Sequence, residues 1–387
     1  MKPDVLPKNA RFSSGPCVKR PGWNPSVLSN SILGRSHRSG IAKERIREVL
    51  RLTRNILGVP DGYRIAITPA SDTGAFEMAL WSMLGARGVE VLVWDSFGAG
   101  WASDVVKQLA IPNTNVLKAE YGHIPKLGEV RFDRDVVFTW NGTTSGVCVP
   151  NGDWIPDKRS GLTFCDATSA AFAIPLPWPK LDVVTYSWQK VLGGEAQHGT
   201  IILSPRAYSR LETWQPNWPI PKVFRMAKNL IPMNGFFEAD TINTPSMLCI
   251  EDVLDALKWA EAIGGGEVLF RRNQENFALL ANWVRRTPWI DFLASHPNIC
   301  SPTSVCLKII DPWFLSLSPP GQRVFVKKFC ILLQDEGAAF DINGYREAPP
   351  GIRIWAGSTV EKNNIMSLLP WLEWGFFQAK KTVEKLT

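Results

Sequence analysis

Apolar positions along the 387-residue chain follow two rhythms. Between residues 41 and 57 they recur every three or four positions. Ile46, Val49, Leu50, Thr53, Ile56 and Leu57 share one side of a helix, charges occupy the other, and Gly58 stops it. From residue 63 the rhythm shortens to runs apolar at nearly every position, such as Val89-Glu90-Val91-Leu92-Val93-Trp94. Six such runs, at 63–68, 89–94, 136–140, 162–166, 183–188 and 200–203, alternate with helical patterns at 74–84, 99–110 and 205–213. Strands apolar on both sides suit a sheet covered on both faces, usually parallel and fed by helical crossovers. The predicted class is α/β.

The ends of the chain follow other rules. Residues 1–30, rich in Pro, Ser and Asn, read as an N-terminal arm, and 31–263 as a large domain. A Pro- and Trp-rich connection at 214–232 leads to a helix at 246–263, which the three glycines 264–266 end. Beyond it, a helix at 267–286, a strand at 304–310, a helix at 320–336, a strand at 352–356 and a helix at 360–382 outline a smaller α+β domain, 264–387.

Composition narrows the partners. The chain has 43 Lys and Arg against 36 Asp and Glu, a net charge of +7 that favours anionic ligands. Its basic residues are scattered, with no run of five or six, which argues against a nucleic-acid surface. No stretch approaches the ~18 apolar residues of a membrane span, and the first residues lack the apolar core of a signal peptide. Seven cysteines form no C-x-x-C pair, and Cys165 lies in an apolar run, which points to reduced thiols and the cytoplasm. Four scattered histidines offer no metal-ligand spacing.

In a doubly wound sheet, ligands gather where strands end. Three such ends carry polar groups: Asn141-Gly142-Thr143-Thr144-Ser145-Gly146, Asp166-Ala167-Thr168-Ser169, and Ser187-Trp188-Gln189-Lys190 with the loop 193–199 behind it. An acid ending one strand and a lysine ending the next supply what pyridoxal 5′-phosphate (PLP) chemistry requires. The amine forms and exchanges an imine with the aldehyde, and the acid keeps the pyridine nitrogen protonated. Burial disfavours the ammonium form and leaves a better nucleophile. The same residues also fit a helix cap and a surface lysine. Pro69-Ala70-Ser71-Asp72-Thr73-Gly74, between a strand and a helix, could present N–H groups to a phosphate or be an ordinary cap. Trp101, after the turn Phe97-Gly98-Ala99-Gly100, could cover a flat ring or pack in the core.

Together these motifs resemble the class V aminotransferases of PLP fold type I, and within them the phosphoserine aminotransferase family, over nearly the whole chain. The resemblance rests on Phe12-Ser13-Ser14-Gly15-Pro16, Ser36-His37-Arg38-Ser39, Asp166-Ala167-Thr168-Ser169, Ser187-Trp188-Gln189-Lys190, Asp240-Thr241-Ile242-Asn243-Thr244-Pro245 and Gly351-Ile352-Arg353-Ile354. It implies a large domain with a mostly parallel seven-stranded sheet, a smaller C-terminal domain and an obligate homodimer. It also implies roles. Lys190 would hold the cofactor and move the substrate proton, Asp166 would pair with the ring nitrogen, and Trp101 would stack on the ring. Ser71, Asp72 and Thr73 fall at the phosphate loop, while Thr144 and Gln189 lie beside the cofactor. Asn243 and Thr244 would reach the cofactor phosphate from the other subunit. Arg353 would grip the substrate carboxylate, and His37 and Arg38 its phosphate. The implied substrates are glutamate and 3-phosphohydroxypyruvate, giving phosphoserine and 2-oxoglutarate in serine biosynthesis. A phosphohydroxythreonine, on the way to pyridoxine, is a further candidate.

The chain departs from the family at two places. Ala70-Ser71-Asp72-Thr73 replaces a glycine-rich loop, and the segment 193–199 is longer than the usual turn. Two relatives compete: an aminotransferase that pairs an unphosphorylated amino acid with glyoxylate or pyruvate, and a cysteine desulfurase. The first has no need of His37 and Arg38. The second places a histidine before the lysine, where this chain has Gln189.

Overall fold

The computed structural model describes residues 1–384. Its main sheet has seven strands: β1 (Arg64–Pro69), β2 (Val89–Val93), β3 (Thr114–Lys118), β4 (Asp135–Thr139), β5 (Thr163–Asp166), β6 (Val183–Ser187) and β7 (His198–Leu203). They lie in the order β1-β7-β6-β5-β4-β2-β3. Neighbours from β3 through β6 are parallel, and β7 runs antiparallel to both β6 and β1. Every residue of β2, β4, β5, β6 and β7 is buried, in keeping with their mostly apolar runs. The seventh strand, β3, was not among the runs. Its Thr-Asn-Val-Leu-Lys is half exposed at the sheet edge, where no apolar run is needed.

Helices cover both faces. α1 (Gly40–Leu57) is capped by the Ser39 hydroxyl, which accepts the Ala42 N–H, and ends at Gly58 in the left-handed region, φ 64°. α2 (Ser71–Met83) buries Phe76, Met78, Ala79, Leu80 and Met83. α3 (Ser96–Ser103) starts earlier than its pattern predicted because Asp95 caps it, its Oδ1 accepting the Gly98 N–H at 2.8 Å. A π-helical turn, Asp104–Gln108, continues it. α4 (Pro205–Thr213) and α5 (Met247–Ala262) complete this part, and α5 packs on α1.

A second, antiparallel sheet joins β8 (Ile290–Phe292), β9 (Ser304–Ile309) and β10 (Gly351–Trp355). Around it stand α6 (Gly265–Val284), the short α7 (Pro312–Ser316), α8 (Pro319–Asp335) and α9 (Lys362–Glu384). Trp289 stacks on Phe376 of α9, ring centroids 4.0 Å apart. The N-terminal arm is stitched to this layer. Ala10 accepts the Phe340 N–H at 2.8 Å and Phe12 the Trp355 N–H at 3.0 Å. Phe12 is fully buried, so the arm delivers Ser14–Cys17 to the ends of β5 and β6.

The opposite end of the main sheet is fastened by buried ion pairs. Asp182 accepts the Thr163 N–H at 3.0 Å and the Ser204 hydroxyl at 3.0 Å, and pairs with Arg159 at 3.1 Å and Arg206 at 3.0 Å. Asp135 takes Arg210 in a fork, at 2.9 and 3.1 Å. Each buried charge there has a partner that offsets the cost of leaving water.

Candidate active site

Where β5 and β6 end and α2 begins, a cavity of about 220 Å³ opens. Lys190 follows β6 and enters it, buried, with its Nζ donating to the carbonyl oxygen of Ser14. The arm comes so close that a Cβ on Gly15 would stand 2.9 Å from that Nζ. Glycine lets the arm approach without displacing the amine, and its φ of 150° suits that residue. Burial lowers the Lys190 pKa below its ordinary value; the Arg353 charge also lowers it, against opposing contributions from Cys17, Asp166 and Asp95.

Asp166 ends β5 on the same cavity. Its Oδ2 accepts the Trp101 indole N–H at 3.1 Å, and its Oδ1 the Thr168 backbone N–H at 2.9 Å. Trp101 is therefore more than a flat surface, because it is tied to the acid. A third carboxylate, Asp95, lines the cavity too and was not foreseen. Its carboxyl is pushed up to about 6 by burial, with the N–H groups of Gly98 and Thr144 pulling the other way. The available signal was its place directly after the run 89–94, the same strand-end logic that selects Asp166.

At the start of α2 the backbone takes an unusual course. Ala70 (φ 62°) and Ser71 (φ 54°) are both left-handed, at roughly 1–3 kcal/mol each for residues with a Cβ. The loop holds a conformation that glycine favours with Ala and Ser in place. Such turns converge backbone N–H groups on an anion, and the helix N-terminus adds its dipole. Ser71, Asp72 and Thr73 all line the cavity.

Its walls hold polar atoms without partners. Both Asp72 carboxyl oxygens, the hydroxyls of Thr139, Thr168 and Ser187, and Gln189 Oε1 are buried with no hydrogen bond. Buried orphans are rare in folded proteins. Six around one cavity, beside a buried amine, an acid and a helix N-terminus, fit the polar groups of pyridoxal 5′-phosphate.

The other predicted residues fall in two places. Thr144 lies just behind the cavity wall, where its hydroxyl donates to Asp95 at 3.2 Å and accepts the Ser96 N–H at 3.1 Å; Thr143 faces the cavity instead. Arg353, on β10, donates to the Thr143 carbonyl at 3.3 Å, while its buried Nε has no partner. Its guanidinium lies 5.8 Å from the Tyr345 ring centre. Arg346 is exposed and pairs with Glu347 at 2.6 Å. His37, Arg38, Asn243 and Thr244 do not line the cavity of their own chain. His37 is half-buried and the other three are exposed. The 37–43 and 240–244 segments meet, for Lys43 pairs with Asp240 at 2.5 Å. Burial first, then Arg38, lowers the His37 pKa, and Asp240 opposes them.

A lysine and a carboxylate on adjacent strand ends of a mostly parallel seven-stranded sheet, closed over by an antiparallel layer, fit a pyridoxal-phosphate aminotransferase of fold type I. No family model matches the chain, but individual proteins do. The phosphoserine aminotransferase of Methanosarcina barkeri is 54% identical over 376 residues, covering 97% of this chain and 99% of that protein. The Methanosarcina mazei enzyme of the same name matches equally well. Among solved structures, the phosphoserine aminotransferase of Cytophaga hutchinsonii has a TM-score of 0.79 at 19% identity, over 95% of this chain and 99% of that one. The ureidoglycine–glyoxylate aminotransferase of Bacillus subtilis reaches 0.76 at 15% identity, over 98% of this chain and 95% of that one, so the fold alone is shared widely. By its sequence relatives the chain belongs to the phosphoserine aminotransferase family.

Proposed function

We propose that the protein transfers the amino group of glutamate to 3-phosphohydroxypyruvate, giving O-phospho-L-serine and 2-oxoglutarate, with pyridoxal 5′-phosphate at Lys190. The observation that carries this is the convergence of Lys190 and Asp166 on one cavity lined by unpaired polar atoms. When bound, the cofactor supplies an electron sink and carries the amino group between half-reactions.

The residues of the chain divide the remaining work. Lys190 takes and returns the substrate Cα proton, a task suited to a buried amine whose ammonium is disfavoured. Asp166 would pair with the ring nitrogen of the bound cofactor and Trp101 would lie against the ring, while the Trp101 N–H fixes the carboxylate. Backbone N–H groups at Ser71, Asp72 and Thr73 receive the cofactor phosphate. Gln189 meets a polar edge of the cofactor. Thr144 keeps Asp95 and the start of α3 in place. Arg353 offers its planar fork to the substrate carboxylate.

His37 and Arg38 meet the substrate phosphate, and Asn243 and Thr244 the cofactor phosphate, from a partner subunit. Their joint place on one surface outside their own cavity supports a homodimer with shared sites. The same phosphate grip would admit a phosphohydroxythreonine and so serve pyridoxine synthesis. Seven free thiols support a reducing compartment, the cytoplasm. Among the described residues no helix is long and apolar enough to cross a membrane.

The test is a panel of keto acids, with and without a phosphate, offered with glutamate. Phosphorylated acceptors should turn over at least about tenfold faster at low concentration, the weight of one charge-assisted contact. Equal rates on glyoxylate or pyruvate would defeat the proposal.

A further inference from the structure

One buried group has no role in this scheme, the side chain of Asp72. It is the second residue of α2, and neither carboxyl oxygen has a hydrogen-bond partner. No Lys or Arg among the described residues pairs with it. The groups facing it come from two strands. From β5 and the turn after it come Asp166, the Cys165 thiol and the Thr168 hydroxyl, and from β6 the Thr185 hydroxyl. The two hydroxyls lie toward it without completing a bond. His198, on β7, has both nitrogens engaged elsewhere, with Thr68 O at 3.2 Å and the Ser246 N–H at 3.0 Å. Asp166, not Asp72, is the acid that acts on Lys190 and on Asp95.

Burial beside a second carboxyl disfavours the charged form of Asp72. Asp166 accepts two N–H bonds, which suit a carboxylate; Asp72 accepts none. The proton therefore belongs on Asp72. Burial, then the Asp166 charge, pushes the Asp72 carboxyl well above the usual carboxylate range. The positive end of α2 favours the anion, but by less than full burial disfavours it. A further anion, the cofactor phosphate, is expected at the same helix N-terminus, so an ionised Asp72 would face two negative neighbours.

We propose that Asp72 is a positioning residue that acts as a neutral carboxylic acid, donating its proton to Asp166 and leaving the start of α2 free of charge for a phosphate dianion. The proposal rests on the cofactor reading above. It makes cofactor loading depend on the protonation of one side chain that never touches the reacting atoms.

The experiment titrates pyridoxal 5′-phosphate into the cofactor-free protein, wild type and Asp72→Asn, from pH 5.5 to 9, following tryptophan quenching. Asn keeps the shape and a donor but cannot ionise. The two Kd values should agree at the acid end. Above the Asp72 transition, wild type should weaken relative to the variant by about tenfold per pH unit. A variant that binds far more tightly than wild type across the whole range overturns the proposal, as does a variant that loses the cofactor at every pH. A pH-difference infrared spectrum of the wild-type protein gives a second readout. It should show a buried carboxylic acid at neutral pH, and a purely ionised signal there is equally fatal. Failure of wild type to bind the cofactor at any pH would overturn the cofactor reading itself, and the infrared result stands apart from that.

Discussion

The two ends of the main sheet treat buried acids in opposite ways. At one end, Asp182 and Asp135 are gripped by Arg159, Arg206 and Arg210 and also accept backbone N–H groups of Thr163 and Leu162. At the other end, Asp72, Asp95 and Asp166 crowd one cavity without a single arginine fork, and Lys190 is the cation buried among them. The first arrangement is what a fold needs to keep charge inside. The second leaves Asp72 without a partner and gives none of the three an arginine, which makes sense when a ligand brings the missing partners. Burial alone does not mark a functional carboxylate; burial without an arginine partner does.

The largest effect should come from the centre of the unsatisfied end. Lys190→Ala should lower turnover by about 10³-fold or more, since in the proposed scheme this residue is both proton carrier and cofactor anchor. The thermal midpoint of the cofactor-free protein should move little, because no acid is salt-bridged to this amine. A variant with wild-type turnover, or one that unfolds as readily as a loss at the other end, would erase the distinction between the ends.

Stability should separate the ends next. Asp182→Ala leaves Arg159, with a side chain 3% exposed, buried and unpaired, and should cost roughly 3–5 kcal/mol. Asp95→Asn should behave differently. The folded Asp95 carboxyl, near 6, lies above its ordinary 3.8, so the folded chain binds the proton more tightly than the unfolded chain does. Ionised Asp95 therefore subtracts stability, and the deficit develops as pH rises from about 4 to about 7. A gap of about two pH units corresponds to about 3 kcal/mol. Urea midpoints of wild type and Asp95→Asn should diverge over that range in favour of the variant, whatever fixed cost the lost Thr144 contact adds. A difference that stays flat with pH would show that Asp95 is as well settled as Asp182.

What could be read from the sequence follows the same divide. Strands buried on both faces announce themselves, because every position must be apolar; β3, at the edge, is under no such demand. Lys190 and Asp166 were legible because the chemistry asks for that pair at adjacent strand ends. Asp95 sits at a strand end as well, yet reads as the helix cap it also is. The start of α2 was obscured because Ala70 and Ser71 hold a left-handed path without the glycine that normally signals it. Asp72 reads locally as a first-turn acid. Its burial beside Asp166 is set by strands a hundred residues away in the chain, which no local pattern carries. His37 and Arg38 entered through resemblance alone, since exposed residues ahead of a helix have no periodic signature.

Those two residues give the smallest expected effect and the sharpest test of how the open end is completed. Arg38 is exposed in its own chain, so it has no folding role to lose. Arg38→Ala should lower kcat/KM for phosphorylated substrates by about tenfold, one charge-assisted contact, and leave unphosphorylated ones unchanged. Arg353→Ala should instead penalise both, because every substrate carries the carboxylate. Mixing chains then locates the contact. In a hybrid of one Lys190→Ala chain and one Arg38→Ala chain, a contact made across the interface leaves one cavity with Lys190 from one chain and Arg38 from the other. That hybrid should show about half the wild-type rate on the phosphorylated acceptor at low concentration. A contact within one chain leaves no intact cavity, and the hybrid would retain only the weakened Arg38→Ala rate. The second outcome would mean that the exposed set at 37–38 folds back onto its own cavity, and the open end of the sheet would be completed without a partner.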